Sequence, residues 1–462
     1  MANATRYTTV SLLALAIAGT FAAGQAHASG FQLKENSVKA MGRAFAGSAS
    51  AAGDASVVVN NPAAMRQFDQ AVVQGDLTVV DLNATFNGSG TDAFGLPLAG
   101  GNGGNAGDVT PIPAVSFIKP LSGAFENVTV GAMVSAPFGL KTEYENGWVG
   151  RYHALVSDVK IVDLTLSAAV DVTDRFSLGL GLIGERAEVQ LSKAVDFGSQ
   201  ICAPSAATGG QIPPFCLPLG SGAFGPQMND GVVDVQGTSN GFGFIVGANL
   251  RPTDAVSIGF SYRSQIDHDI QGDVVFGGVP PVLAGHPSPA VRASVADSPG
   301  GAKLTTPSVA TVSATWAVND NLRLMGDVSR TGWSSLREVR IVRDNGAVVG
   351  LEPFHWRNTD FYALGGEYDI SPTVTLRAGV AYDETPTIDA ERTPRLPDSD
   401  RTWYSIGATW NVNDALSFDA GYTRIVPGDS TINNPVNSSN ARLSGDYDAS
   451  VNLFGVSAQY RF

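Results

Sequence analysis

Two arginines in alternating segments are the residues best suited to bind a ligand. Arg186 follows a stretch in which the apolar phase changes at about Gly184. A β-bulge there would explain the change and would turn Arg186 inward. Because side chains alternate along a strand, an outward assignment of Val339 and Ile341 predicts that Arg340 also points inward.

An arginine in an apolar interior could hold an anion. The guanidinium group binds a carboxylate through two parallel hydrogen bonds, and a carboxylate buried without a partner is very costly. We therefore interpret Arg186 and Arg340 as candidates to bind the carboxylate of an apolar ligand. Ion pairing with Glu188, Glu338 or nearby aspartates is an equally good interpretation.

Motifs of catalysis and cofactor binding lack the required structural context. The run from Gly179 to Gly184 resembles a dinucleotide fingerprint, but no helix follows it. The run from Gly237 to Gly241 resembles a nucleophile elbow, again without a strand-to-helix turn. The five histidines show no metal-ligand spacing. We predict a protein that is not an enzyme and has no cofactor or metal.

Strands position these residues, because most segments after about Gln70 alternate with a period of two. One phase is apolar and the other is small or polar, as in the segments near Val374, Tyr404 and Leu416. This pattern is typical of a transmembrane β-barrel. A soluble β-sandwich also alternates, but the aromatic residues recur near segment ends, as in the girdles of a membrane barrel.

The connections between segments alternate in length. Short polar turns are interleaved with long loops at about 88–108, 196–230, 276–302, 384–400 and 428–445. This asymmetry is typical of outer-membrane barrels, and the segments number about fourteen, an even count. We predict an all-β fold, in which residues 70–462 form a 14-stranded antiparallel transmembrane β-barrel.

Residues 1–28 have the features of a signal peptide. Arg6 precedes an apolar core from Val10 to Ala18, and residues 26–28 form a small-x-small cleavage site. An N-terminal membrane helix is the alternative, but the core is too short for one. No other run of about 18 apolar residues occurs, which excludes helical membrane spans. We predict that the mature chain begins at Ser29.

Residues 29–69 lack sustained alternation and are rich in Gly, Ala and Ser. They contain Asn61, Pro62 and Ala63, a helix start with Asn at the cap and Pro in the first turn. A barrel of fourteen strands has a lumen wide enough to need a plug or to conduct water. We predict that residues 29–69 form a hatch inside the lumen. A leader outside the barrel is the alternative.

The cysteine content and the net charge limit the cellular environment of the protein and the class of its partners. Cys202 and Cys216 lie in one Gly/Pro-rich stretch of an exported chain, which predicts a disulfide. A zinc pair is the alternative, but no histidine or further cysteine lies nearby. The net charge of −14 argues against a nucleic acid partner.

Two local features concern the barrel wall. Ala136, Pro137 and Gly139 weaken strand pairing, so a hole in the wall is predicted there. A strand that simply ends at Pro137 is the alternative. The final strand alternates up to Tyr460 and Phe462. This ending resembles the tag that the barrel-assembly machinery recognises, so we expect that machinery as a partner in biogenesis.

Four stretches resemble the FadL family of outer-membrane transporters, which includes the TodX branch. They are Gly30-Phe31-Gln32-Leu33, Asn61-Pro62-Ala63, Trp356-Arg357-Asn358-Thr359, and the block from Asp383 to Pro386 followed by Arg392 and residues 397–401. The resemblance implies a fourteen-stranded barrel with an N-terminal hatch. It also implies uptake of long-chain fatty acids or, as in the TodX branch, of aromatic hydrocarbons.

The resemblance further implies roles for individual residues. A kinked third strand at Ala136, Pro137 and Gly139 would form a lateral exit into the bilayer, and Arg186 and Arg340 would hold the carboxylate. We expect a monomer in the bacterial outer membrane, surrounded by the lipid bilayer, that takes up long-chain fatty acids passively. Uptake of neutral hydrocarbons is the alternative, and a general porin is the second alternative.

Overall fold

The computed structural model describes residues 30–92, 94–201, 225–434 and 441–462. Within these residues, nineteen strand segments form one sheet whose neighbours all run antiparallel. Five barrel strands are each interrupted once, so the nineteen segments make up fourteen strands. Val72 of the first strand pairs with Arg461 of the last, which closes the sheet. The predicted fourteen-stranded barrel is confirmed.

The fourteen strands have the following bounds. They are β1 (Val72–Thr91), β2 (Val109–Pro120), β3 (Val128–Glu143), β4 (Val156–Thr173), β5 (Phe176–Asp196), β6 (Asp230–Thr253), β7 (Val256–Arg263 and Ile266–Gly277), β8 (Ser298–Thr306 and Val309–Ala317), β9 (Leu322–Thr331 and Glu338–Arg343), β10 (Val348–Pro353 and Thr359–Ser371), β11 (Val374–Asp383), β12 (Arg401–Asn411), β13 (Leu416–Pro427 and Ser430–Asn434) and β14 (Arg442–Arg461).

Helices are short and lie outside the strands. They are the α-helices Val38–Met41, Val57–Asn60, Pro281–Ala284 and Pro289–Ser294, and the 3-10 helices Pro62–Gln67, Gly123–Phe125 and Trp333–Ser335. No helix in the described part of the chain is long and apolar enough to cross a membrane.

The polarity of the two barrel faces exchanges along the strands. In the lower part of β5, Leu180 and Leu182 are exposed on the outer face. In its upper part, Ala187 is buried on the inner face while Glu188 is exposed. Pairing with β4 and β6 stays regular through Gly184, so the predicted bulge is wrong. Above this level the apolar face points into the lumen, as expected where a barrel strand extends beyond the bilayer.

The hatch lies inside the barrel, as the sequence predicts. Val38 and Met41 of its first helix belong to one buried cluster with Val451 of β14. Glycines on the inner wall make room for it, because a Cβ at Gly379 would lie only 2.3 Å from the carbonyl carbon of Arg43. The boundaries at residues 29 and 69 stay predictions.

Buried ion pairs tie the hatch to the wall. Arg43 Nη1 lies 2.8 Å from Glu367 Oε1, and the same carboxylate oxygen lies 2.7 Å from Arg377 Nε. Near the other end of the hatch, Arg66 Nη2 lies 2.5 Å from Asp171 Oδ2 of β4. Charges taken out of water need such partners, so the hatch is anchored on several strands.

Some predictions fall outside the described residues or stay untested. The signal peptide of residues 1–28, and the cysteines Cys202 and Cys216, lie outside them. At the end of β14, Tyr460 and Phe462 are exposed on the outer face, and the Phe462 amide donates to the Ala71 carbonyl oxygen at 2.9 Å. The role of this ending in barrel assembly stays a prediction.

Candidate functional site

Arg186 and Arg340 do not face the lumen, so the predicted inward orientation is wrong. About half of each side chain is exposed, and they pair with Glu188 and Glu338 at 3.0 and 2.9 Å. The neighbours of Arg340, by contrast, are buried inside the barrel. The error has one physical cause: these residues lie above the apolar band, where the outer face is polar and the inner face apolar.

An apolar cavity lies in the upper lumen. Its lining is supplied mainly by the inward phases of β4 to β9 and by the loop before β12, and includes Val159, Val189, Leu191, Val235, Ile270, Leu304, Val339, Ile341 and Leu396. Clefts of this apolar character, with a few polar groups, suit an apolar ligand.

Arg395 forms a cationic end of this cavity. Its Nη1 donates to the Ser157 hydroxyl at 3.1 Å and to the Val156 carbonyl at 3.2 Å. Its Nε lies 3.5 Å from Glu352 Oε1. This Nε is buried and makes no hydrogen bond among the described residues. An incoming anion would find an unused donor there.

The electrostatic surroundings of Arg395 favour an anion. Lys193 is an electrostatic neighbour of both Arg395 and Glu352. The pKa of His153 is lowered to about 3, mainly by burial and further by the positive charges of Lys193 and Arg395. This histidine is therefore neutral at physiological pH. In the described residues no group of His, Cys, Asp or Glu could hold a metal ion.

The sequence reasoning missed Arg395, because the residue lies in the irregular loop before β12, where no alternation indicates an inner face. A usable signal was present nonetheless. Residues 384–400 contain several charged side chains in an extracellular loop beside the block that resembles the FadL family.

Phe31 at the start of the hatch forms the floor of the cavity. Its ring packs against Trp333 with centroids 4.9 Å apart, and against Phe138 and Trp356 at 5.8 Å each. The preceding Gly30 amide donates to Asp398 Oδ2 at 2.8 Å. We call residues 30–36 the hatch arm. The arm separates the apolar cavity from the rest of the lumen.

The hatch arm fills a break in the barrel wall. The pairing of β2 with β3 ends at Val115 and Val134. The register between β3 and β4 then shifts between Ser135 and Phe138. A break is therefore present at Ala136 and Pro137.

Two backbone hydrogen bonds join the arm to β3 at this break. The Leu33 amide donates to the Pro137 carbonyl at 2.8 Å, and the Gly139 amide donates to the Phe31 carbonyl at 2.7 Å. Gly139 is thus the point at which the arm takes the place of the missing strand partner. The role of the break as an exit stays a proposal.

A cluster of buried charges supports the wall beside the break. Asp163 of β4 stands directly opposite Glu185 of β5. Arg263 of β7 bridges the two carboxylates at 2.5 Å each, and His268 Nε2 lies 2.8 Å from Glu185. Two carboxylates facing each other repel, and the guanidinium of Arg263 between them offsets this repulsion.

The hatch motif lies at the opposite end of the hatch from the arm. Asn61 accepts a hydrogen bond from the Ala63 amide at 3.2 Å and thereby caps the 3-10 helix that begins at Pro62. Its amide group donates to the carbonyl oxygens of Ala49 and Ala248 at 2.7 and 3.0 Å. One side chain thus joins three parts of the fold, two in the hatch and one in β6.

Comparison with known proteins gives close relatives over most of the chain. A family model described as "Outer membrane protein transport protein (OMPP1/FadL/TodX)" matches residues 19–462. Outer membrane protein P1 of Haemophilus influenzae is 31% identical over 425 residues, covering 88% of each chain. The long-chain fatty acid transport protein of Escherichia coli strain K12 is 27% identical over 88% of this chain and 90% of its own.

A solved structure shares the architecture. The crystal structure of a Pseudomonas aeruginosa FadL homologue superposes with a TM-score of 0.85 at 28% identity, covering 94% of this chain and 100% of that one. The barrel, the hatch and these matches agree. The chain therefore belongs to the OMPP1/FadL/TodX family of outer-membrane transport proteins, whose members carry hydrophobic compounds.

Proposed function

We propose that this protein takes up long-chain fatty acids, with the alkyl chain in the apolar cavity and the carboxylate at Arg395. The observation that supports this is the buried guanidinium donor without a hydrogen bond, in a cavity whose lining is apolar apart from Arg395, Glu352 and Gln236. A neutral hydrocarbon needs no cation, whereas a carboxylate in an apolar site needs a positive partner. A general porin needs an open lumen, whereas here the hatch occupies it.

The substrate then leaves sideways through the break between β2 and β3. This route keeps the alkyl chain away from water, which is favourable for any apolar molecule. The hatch arm closes the opening from the inside, so its displacement completes the route. Because the sequence has no nucleotide-binding motif, movement follows the concentration gradient.

Arg395→Met tests the carboxylate assignment. We expect the oleate affinity of the purified protein to fall about tenfold to hundredfold, since a hydrogen bond to a charged group contributes about 1.5–3 kcal/mol. The affinity for oleyl alcohol should stay unchanged. Arg186→Met and Arg340→Met are matched controls, because both arginines are on the outer face.

The alternatives predict different results. Unchanged oleate binding by Arg395→Met would contradict the assignment of the carboxylate. Tighter binding of toluene than of oleate by the wild type would favour a neutral hydrocarbon as substrate. Free passage of small hydrophilic solutes would favour a porin.

A further inference from the structure

A second chamber lies below the hatch arm and adjoins the wall break. Gln32 and Leu33 of the arm and Pro137 of β3 contribute to its lining. In contrast to the apolar cavity above, it is lined by many polar groups, four of them charged: Lys34, Asp163, Arg263 and Asp327. An amphiphile that leaves through the break passes this chamber.

Three of the four charged groups have strong partners. Arg263 lies 2.5 Å from Asp163 and also binds Glu185. Asp327 accepts a hydrogen bond from the Gly47 amide at 2.6 Å and another from the Ser313 hydroxyl at 2.5 Å. Each of these groups already has a charged or hydrogen-bonding partner within the protein, although Asp163 Oδ1 and Arg263 Nε make no hydrogen bond among the described residues.

Lys34 differs from these three groups. Its ammonium nitrogen lies 4.0 Å from the centre of the Phe361 ring. Among the described residues it has no carboxylate within ion-pair distance and donates no hydrogen bond. Burial lowers the pKa of Lys34, and the acidic groups at longer range, Asp383 and Asp327 foremost, only partly oppose this effect. A partly buried cation of this kind gains from contact with an anion.

We propose that Lys34 is a second carboxylate site, which receives the fatty acid headgroup on its way from the apolar cavity to the wall break. This inference rests on the proposed function. Lys34 directly follows the arm segment that is hydrogen-bonded to β3. The substrate reaches Lys34 only after Phe31 has moved, so contact with Lys34 stabilises the displaced arm. A ligand shifts an equilibrium only if it binds one of the two states more tightly. The contact with Lys34 forms only when the arm is displaced, so it favours the displaced state.

Lys34→Met tests the proposal, because it keeps an unbranched side chain over Phe361 and removes the charge. In cells that produce the full-length protein, we expect oleate uptake to fall about tenfold. Uptake of oleyl alcohol should stay at the wild-type rate, and Lys34→Arg should restore oleate uptake. The equilibrium affinity for oleate should not change, since Arg395 is intact. Lys303→Met, at an exposed position on β8, is the matched control.

Each outcome decides one claim. Wild-type oleate uptake by Lys34→Met would overturn the second site. A parallel loss of oleyl alcohol uptake would also overturn it, because the substitution would then act on the arm and not on a carboxylate contact. Failure of the wild-type protein to bind oleate would instead overturn the proposed function.

Discussion

Arg186 and Arg395 place the same guanidinium group in opposite environments. Arg186 is half exposed on the outer wall and already pairs with Glu188. Arg395 is buried at the end of the apolar cavity, where one of its donors is unused. Surface pairs contribute little to stability, whereas a buried unused donor carries a cost that a ligand can remove. The environment, and not the residue type, distinguishes the proposed binding residue from the surface arginine.

Glu35 in the hatch arm should make stability depend on pH. Burial raises the pKa of its carboxyl group from 4.5 to about 7. The folded protein therefore holds this proton more tightly, and the stabilisation present below pH 4.5 is lost as the pH rises to about 7. The difference corresponds to about 3 kcal/mol.

Glu35→Gln removes this titration. The measurement is urea unfolding in detergent at pH 4 and pH 8. Between these two pH values, the free energy of unfolding of the wild type should fall by up to about 3 kcal/mol more than that of Glu35→Gln. If both proteins show the same pH dependence, Glu35 does not carry the effect.

At the scale of elements, β3 and the hatch arm form one unit. β3 carries one extra residue between Ser135 and Phe138 relative to β4. The arm supplies the backbone partners that β2 does not, through hydrogen bonds to Pro137 and Gly139. A bulge next to a functional site re-aims the strand that contains it, and here it separates β3 from β2.

Deletion of Pro137 should straighten β3, because it removes the extra residue and leaves Phe138 opposite Ile161. We expect oleate uptake to fall to background while oleate binding persists, since the exit closes and the cavity remains. Deletion of Ile370, at a similar bulge in β10, is the control and should leave uptake intact. Uptake that survives deletion of Pro137 would rule out the break as the exit.

The whole molecule is a barrel closed by its own N-terminal segment. Inward glycines such as Gly379 and Gly407 let the hatch backbone approach the wall. Buried ion pairs such as Arg43 with Glu367 then fix its position. Because breaking such pairs is costly, we expect the body of the hatch to stay in place while the arm moves.

Deletion of residues 30–68 should open the lumen. In planar bilayers we expect ion conductance to rise at least about tenfold over the wild type, because a fourteen-stranded barrel without a plug holds a wide aqueous pore. An unchanged conductance would show that the hatch does not block the lumen. Arg186→Met, which alters only the outer wall, should conduct like the wild type.

The sequence by itself determined the number of strands and the hatch. Every strand that crosses the bilayer must present apolar side chains to lipid. Its sequence therefore alternates between apolar and polar residues with a period of two. The Asn61 cap follows from interactions within three residues, which a sequence motif describes well. The sequence also predicted the break at Pro137, because proline cannot donate a hydrogen bond to a neighbouring strand.

Only the tertiary structure decided which side chains face the ligand. The inner and outer faces exchange polarity where the strands leave the bilayer, and that level depends on all fourteen strands together, so the phase of β5 alone misplaced Arg186. Arg395 and Lys34 lie in irregular segments without a period, and their surroundings come from elements distant in sequence. A burial environment is a property of the assembled fold, and local sequence does not contain it.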